Sequence, residues 1–263
     1  MTTFVSLQIK NGVGVIKLQN PPLNLVTVAL LQELDEILTR ARTSSDIAAL
    51  VLTGEGNRAF CAGSDLNQTL ALKEAGQFLE EKLAYETDVF CKIASFPKPV
   101  IAAVEGVAFG GGLELASCCD LIFASSASRF ALPEINIAGF PPTGIVRVSR
   151  LIGLSRLKQL VLTGEPIDAD TALSWGLCSG LAAPGEVLGL AMQNAERFNT
   201  LPKRALQMTK RAIQTVNDAD SEVLLRKILS LSDLLSKSGD GLAGAQAFLS
   251  KKPANFEDQI LDT

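Results

Sequence analysis

The sequence predicts an α/β fold of repeated ββα turns followed by a helical C-terminal part. Three observations carry that prediction. Up to Leu132, short apolar or alternating runs suited to strands take turns with amphipathic helical patterns. From Ile145 onward, helical patterns cover nearly everything. The 263 residues, 47% of them hydrophobic, are ample for one large core or a core with a helical appendage.

Phe4–Ile9 alternates apolar and polar, and Gly12–Leu18 repeats the pattern after Asn11-Gly12, which reads as a hairpin. Asn20-Pro21-Pro22-Leu23-Asn24 is turn-rich. Leu30, Leu31, Leu34, Ile37 and Leu38 make Val28–Arg42 an amphipathic helix. Ile47–Thr53 is a buried-type strand, and Gly54–Asp65 a polar, glycine-rich loop. Leu66–Gln77 reads as helical and mobile. Phe78–Ser95 is a second amphipathic helix, stopped by Phe96-Pro97-Lys98-Pro99. The run Val100–Val104 is a strand, followed by Gly110-Gly111-Gly112 and a helix carrying Leu113, Leu115 and Ala116. Asp120–Ser125 and Arg129–Leu132 are further strands, and Pro133–Gly144 is a loop. Helices then follow at Val146–Ile152, Leu154–Leu162, Asp168–Trp175, Glu186–Asn199, Lys203–Asn217, Glu222–Leu235 and Gly239–Leu249. One strand, Cys178–Ala182, interrupts them. The expected division is a core over 1–195 and a helical region over 196–263.

Composition removes several function classes. The net charge of -4 argues against a nucleic-acid surface and gives no polybasic membrane patch. No apolar run is long enough to span a bilayer, and the N-terminus lacks signal-peptide or transit-peptide character, so a cytoplasmic protein is expected. Cys61, Cys91, Cys118, Cys119 and Cys178 are odd in number and fit no zinc spacing; reduced, buried thiols are expected. Histidine is absent, which excludes Ser-His-Asp and Cys-His sites and the usual zinc hydrolase sites. Acid–base chemistry is left to Asp, Glu, Lys, Cys and the one tyrosine, Tyr85.

Four features stand out within two stretches, Ala59–Leu66 and Ala102–Asp120, and the loop after Leu132. Gly110-Gly111-Gly112 is a tight strand–helix joint or a place where a ligand meets bare backbone N–H groups. Glu114 is a dipole-stabilised carboxylate in a first helical turn or a catalytic acid. Glu134 is a solvated loop residue or its partner. In Gly63-Ser64-Asp65, Ser64 or Asp65 caps a helix, or the loop offers a second amide. Taken together, two glycine corners allow two N–H groups to converge on one oxygen. Two glutamates lie near apolar sequence, which raises the pKa of at least one and lets it act as an acid. That inventory suits proton transfer or water addition beside a polarised carbonyl.

The segments AFCAGSDL, KPVIAAVEGVAFGGGLELASCCDLIFA and FALPEINIAGFPP resemble the crotonase (enoyl-CoA hydratase/isomerase) superfamily over almost the whole chain. The resemblance implies a spiral of ββα units with a C-terminal helical trimerisation region. It implies an enzyme acting on an acyl-CoA thioester, with CoA part of the substrate, no separate cofactor and no metal. Homotrimers or dimers of trimers are implied, through the C-terminal helices. Carried over by motif, the amides of Ser64 and Gly111 are the oxyanion donors, and Glu114 and Glu134 the catalytic pair. Both glutamates being present favours hydration of a trans-2-enoyl-CoA; double-bond isomerisation, thioester hydrolysis and an idle acyl-CoA binder stay open. Pro21, Leu23, Arg58, Ala59, Phe60 and Ala62 match the rim that holds CoA, and Lys251 a lysine that reaches CoA phosphate. The family's usual IPGAGG after the second glutamate is replaced by Gly139-Phe140-Pro141-Pro142-Thr143-Gly144. Proline removes an N–H donor, and Phe140 and Pro142 add bulk where the acyl chain is expected. Ser64 stands where alanine is usual, which leaves a backbone donor unaffected.

Overall fold

The computed structural model describes residues 3–218, 225–226, 229–230, 232–233, 237 and 239–253. Among the described residues, ten strands form two sheets. The larger has the order β1 (Val5–Lys10), β2 (Val13–Leu18), β3 (Ala49–Gly54), β5 (Val100–Val104), β7 (Leu121–Ser125) and β10 (Gly180–Ala182). It is parallel apart from the β1–β2 hairpin. The smaller has the order β4 (Ala59–Cys61), β6 (Val107–Phe109), β8 (Arg129–Ala131) and β9 (Ile167–Asp168).

The chain leaves the large sheet and enters the small one three times, at β3–β4, β5–β6 and β7–β8. A helix follows each time: α2 (Leu66–Glu74) with α3 (Tyr85–Ala94), then α4 (Gly111–Ser117), then α5 (Pro142–Thr163). These are the repeated ββα turns. Side chains of β3 alternate with strand period, so Leu50 and Leu52 face the main core while Ala49 and Val51 face a second one. The main core is closed by α1 (Val28–Thr43), whose Leu30, Leu31 and Leu34 are fully buried. The second is closed by α7 (Val187–Glu196) through Val187, Ala191 and Ala195. Both faces of the parallel strands are therefore covered, which is why they read as continuous apolar runs.

Several boundaries differ from the sequence reading. The Gly54–Asp65 loop contains β4, and β6 lies in the stretch between Val104 and the glycines. Each is only three residues long, too short for a period to register. The helix expected at Phe78–Ser95 begins as a π-helical segment, Phe78–Ala84, before α3. The two helices expected around Gly153 are α5, which starts four residues earlier at Pro142 and is interrupted at Gly153 (φ 79°, ψ 159°). Pro142 fits the first helical position because its missing N–H has no partner to lose there. Pro133–Ile137 is a 3₁₀ turn inside the expected loop. Beyond α6 (Ala169–Ser174), α8 (Lys203–Asp218) and α9 (Gly239–Ser250) match two C-terminal helices expected from pattern. The helix expected at Glu222–Leu235 lies largely outside the described residues.

No disulfide joins the five cysteines, and Cys61, Cys118, Cys119 and Cys178 are buried. Among the described residues, no helix is long and apolar enough to cross a membrane.

Candidate active site

β4 and β6 are parallel neighbours, so the corners that leave them stand side by side. The first passes through Gly63 (φ 102°), Ser64 and Asp65 into α2. Asp65 is the cap, its Oδ1 accepting from Gln68 N at 3.0 Å. Ser64 is left for another task. The second corner turns at Gly110 (φ 52°, ψ −126°), a conformation closed to residues with a Cβ, and enters α4. The Ser64 amide nitrogen lies 3.7 Å from where a methyl group on Gly111 would stand. The Gly111 nitrogen lies 3.6 Å from the same point on Gly63. Among the described residues neither amide donates to a protein acceptor. Gly112 makes this closeness possible: a Cβ there would overlap the Cys61 carbonyl of β4.

Glu114, one turn into α4, is 5% exposed, so it is no solvated dipole partner. Its Oε1 accepts from Gly144 N at 2.7 Å, with Thr143 N also contributing. These are first-turn N–H groups of α5, which have no intrahelical acceptor. The prolines that replace the family's glycines sit before them, at the cap and first helical position, and remove no donor that Glu114 uses. Burial pushes the Glu114 carboxyl well above the usual range, and the charges of Glu134 and Glu86 push the same way; the α5 amides oppose them.

Glu134 enters from the 3₁₀ turn, held by a bond from Gly139 N to its own carbonyl at 2.9 Å. A methyl group on Gly110 would stand 2.8 Å from its Oε1, so the bare glycine leaves the carboxyl its place. Its Oε2 is buried without a partner. Burial, with a smaller contribution from the Glu86 charge, raises its pKa to about 8. An acid raised in the folded state favours folding fully below its unfolded pKa, here 4.5, and that support is lost as pH rises through about 8. The melting temperature should therefore decline between those two values. Glu134→Gln should flatten that decline in a Tm–pH series; an unchanged slope would remove Glu134 as its source.

A third carboxylate, absent from the sequence-based site, reaches the same place. Glu86 at the start of α3 is 4% exposed and Lys82 in the π-helical segment 1% exposed, and they form an ion pair. The Ser64 hydroxyl donates to Glu86 Oε1 and Oε2 at 3.3 and 3.2 Å. One turn spacing in a charged sequence reads as a solvent-facing pair, which hid it. The available signal was phase: Lys82, Glu86, Phe90 and Ile93 fall on one helical stripe, and that stripe is buried. Breaking a buried pair by removing one partner costs about 3–5 kcal/mol, whereas replacing both by apolar groups is often neutral. Lys82→Met should thus destabilise strongly in urea melts, and Lys82→Met with Glu86→Leu should recover most of the loss.

These groups line a cavity of about 230 Å³. Of the residues expected there, Ala62, Ser64, Gly111, Glu114, Glu134, Phe140 and Pro142 line it. Ala59 and Phe60, expected on the CoA rim, are instead fully buried in β4 and do not line the cavity, because the strand packs them into the core. Pro21, Leu23, Arg58 and Lys251 are outside the cavity wall. Leu23 is tied beside it, its carbonyl accepting from Ala62 N at 2.9 Å. Asn24, fully buried, anchors that turn by donating to Glu55 O and Ala59 O at 3.0 and 2.8 Å. Lys251 is exposed just after α9.

A family model described as Enoyl-CoA hydratase/isomerase matches residues 8–259. A probable enoyl-CoA hydratase of Bacillus subtilis is 32% identical over 259 residues, covering 97% of this chain and 99% of that one. A short-chain-enoyl-CoA hydratase of Clostridium acetobutylicum is 34% identical over 224 residues, 84% of this chain and 85% of its own. The crystal structure of carnitinyl-CoA hydratase from Mycobacterium avium superposes with a TM-score of 0.87 at 30% identity, covering 98% and 99% of the two chains.

Proposed function

The chain belongs to the enoyl-CoA hydratase/isomerase family, and from that premise we propose that it hydrates a trans-2-enoyl-CoA to a 3-hydroxyacyl-CoA. The observation that supports this reading is one cavity lined by two bare amides, Ser64 and Gly111, and two carboxyl groups, Glu114 and Glu134. The thioester oxygen sits between the amides, which stabilise enolate charge as it develops. We assign the negative charge to Glu114, where the α5 amides offset part of the burial that raises its pKa, and the proton to Glu134, whose Oε2 has no donor. A water held by both loses a proton to Glu114 as its oxygen bonds to C3. Glu134 gives its proton to C2, and exchange with solvent resets the pair. Because Glu134 acts as the acid, activity falls as pH rises past about 8.

The test follows the conjugated-thioester absorbance of short enoyl-CoAs; its decay with formation of the 3-hydroxyacyl product supports the reading, and its persistence with purified, folded protein refutes it. Double-bond isomerisation is the second reading, favoured by the tie between Glu114 and Gly144, which leaves Glu134 as the less constrained acid. Conversion of a 3-enoyl-CoA that survives Glu114→Gln would select it. We further propose assembly of this chain into trimers or dimers of trimers, which sedimentation would distinguish directly.

A further inference from the structure

We propose that the acyl chain taken by this site ends in a carboxylate, held by Lys73 and Thr69 on the α2 wall of the cavity. The inference rests on the acyl-CoA reading above and adds the substrate class. Leu66, Thr69 and Lys73 follow one another at spacings of three and four, so they share one face of α2, and all three line the cavity. The Lys73 ammonium donates to Gly241 O at 3.1 Å and stands 5.4 Å from the centre of the Phe78 ring. Among the described residues no carboxylate lies within ion-pair distance of it. Burial without a counter-ion lowers its pKa. Thr69 is 6% exposed, and its hydroxyl has no hydrogen-bond partner.

An uncompensated cation and an orphan hydroxyl, one turn apart on the same wall, are what a carboxylate satisfies: it supplies the counter-charge and an acceptor together. A hydrocarbon tail would leave the buried hydroxyl without a partner and the half-buried cation without a counter-charge. The fully buried ammonium nearby, Lys82, already has Glu86. Thr69 and Lys73 stand about 4.5 and 10 Å along the helix axis from Leu66, which lies two residues beyond the Ser64 amide. The Gly241 contact ties α2 to α9, so the proposed anion site is closed by the C-terminal helix.

A CoA phosphate is the other anion that Lys73 could meet, and titration calorimetry separates the two. The ligands are adipyl-CoA and hexanoyl-CoA, equal in chain length and different in the terminal carboxylate. The unmodified protein should bind adipyl-CoA about 10- to 100-fold more tightly, from hydrogen bonds involving charged groups. Lys73→Met should bring that ratio close to one, Lys73→Arg should retain most of it, and Thr69→Val should lose a smaller part. A ratio near one in the unmodified protein overturns the proposal. So does a ratio that Lys73→Met leaves unchanged, the result expected if the ammonium meets CoA phosphate. Thermal melts verify folding, and Lys73→Gln with Thr69→Val carries the comparison if Lys73→Met does not fold. Both ligands are saturated, so the result stands whether or not the protein hydrates enoyl-CoA; a parallel crotonyl-CoA assay decides that separately.

Discussion

Hydration of crotonyl-CoA should fall by about 10²–10⁴ in Glu114→Gln and by a comparable factor in Glu134→Gln. Glutamine keeps the shape of each side chain but can neither take a proton from water nor give one to C2. The variants should fold, because a glutamine carbonyl at 114 can still accept from Gly144 N, and a neutral group at 134 suits the place where Oε2 is buried without a partner. The loss should appear in kcat more than in KM, since neither carboxyl is needed to seat the CoA. The double variant should cost little more than one single, because groups that act on one water fail as a unit. Stopped-flow decay of the conjugated thioester measures all three. Near-normal turnover in either single variant removes the paired-glutamate mechanism.

Gly112→Ala should be the most damaging single-methyl change in the molecule's two corners. A Cβ on Gly112 would overlap backbone atoms of Cys61, and the backbone of a hydrogen-bonded strand cannot yield as a side-chain tip can. Overpacking of this kind costs typically about 1–3 kcal/mol, occasionally more. Against a rigid carbonyl the upper end is expected, a drop of roughly 6–12 °C in Tm for a domain of this size. Activity should fall further than stability explains. Separating β4 from α4 moves the Ser64 and Gly111 amides apart, and loss of one such donor costs about 10²–10³ in kcat. Differential scanning calorimetry and kcat at a temperature well below the new Tm test both halves. A variant with native kcat would mean that the two amides do not share an oxygen.

Much of the architecture was legible before any coordinates. Leu30, Leu31, Leu34, Ile37 and Leu38 announced α1 because a helix buried on one side must repeat its apolar residues at helical spacing. Val100–Val104 announced a central strand because both its faces are covered. β4 and β6 were not legible: three-residue strands hold few side chains to define a period, and the ladder joining them to the expected β8 makes them strands. The prolines at 141 and 142 looked like an obstruction in the sequence. In three dimensions they precede the two amides that Glu114 uses.

Local sequence by itself determined the class of fold, the two glycine corners and the two acids, because backbone freedom and side-chain chemistry belong to individual residues. Only the tertiary structure decided that Glu86 and Lys82 turn inward, and that an orphan Thr69 hydroxyl and a Lys73 without a counter-ion share one wall. The pairing of the Glu114 carboxylate with the start of a helix thirty residues on was likewise decided there. Burial and hydrogen-bond partnership depend on which distant segments pack together, and no single stretch of sequence carries that information.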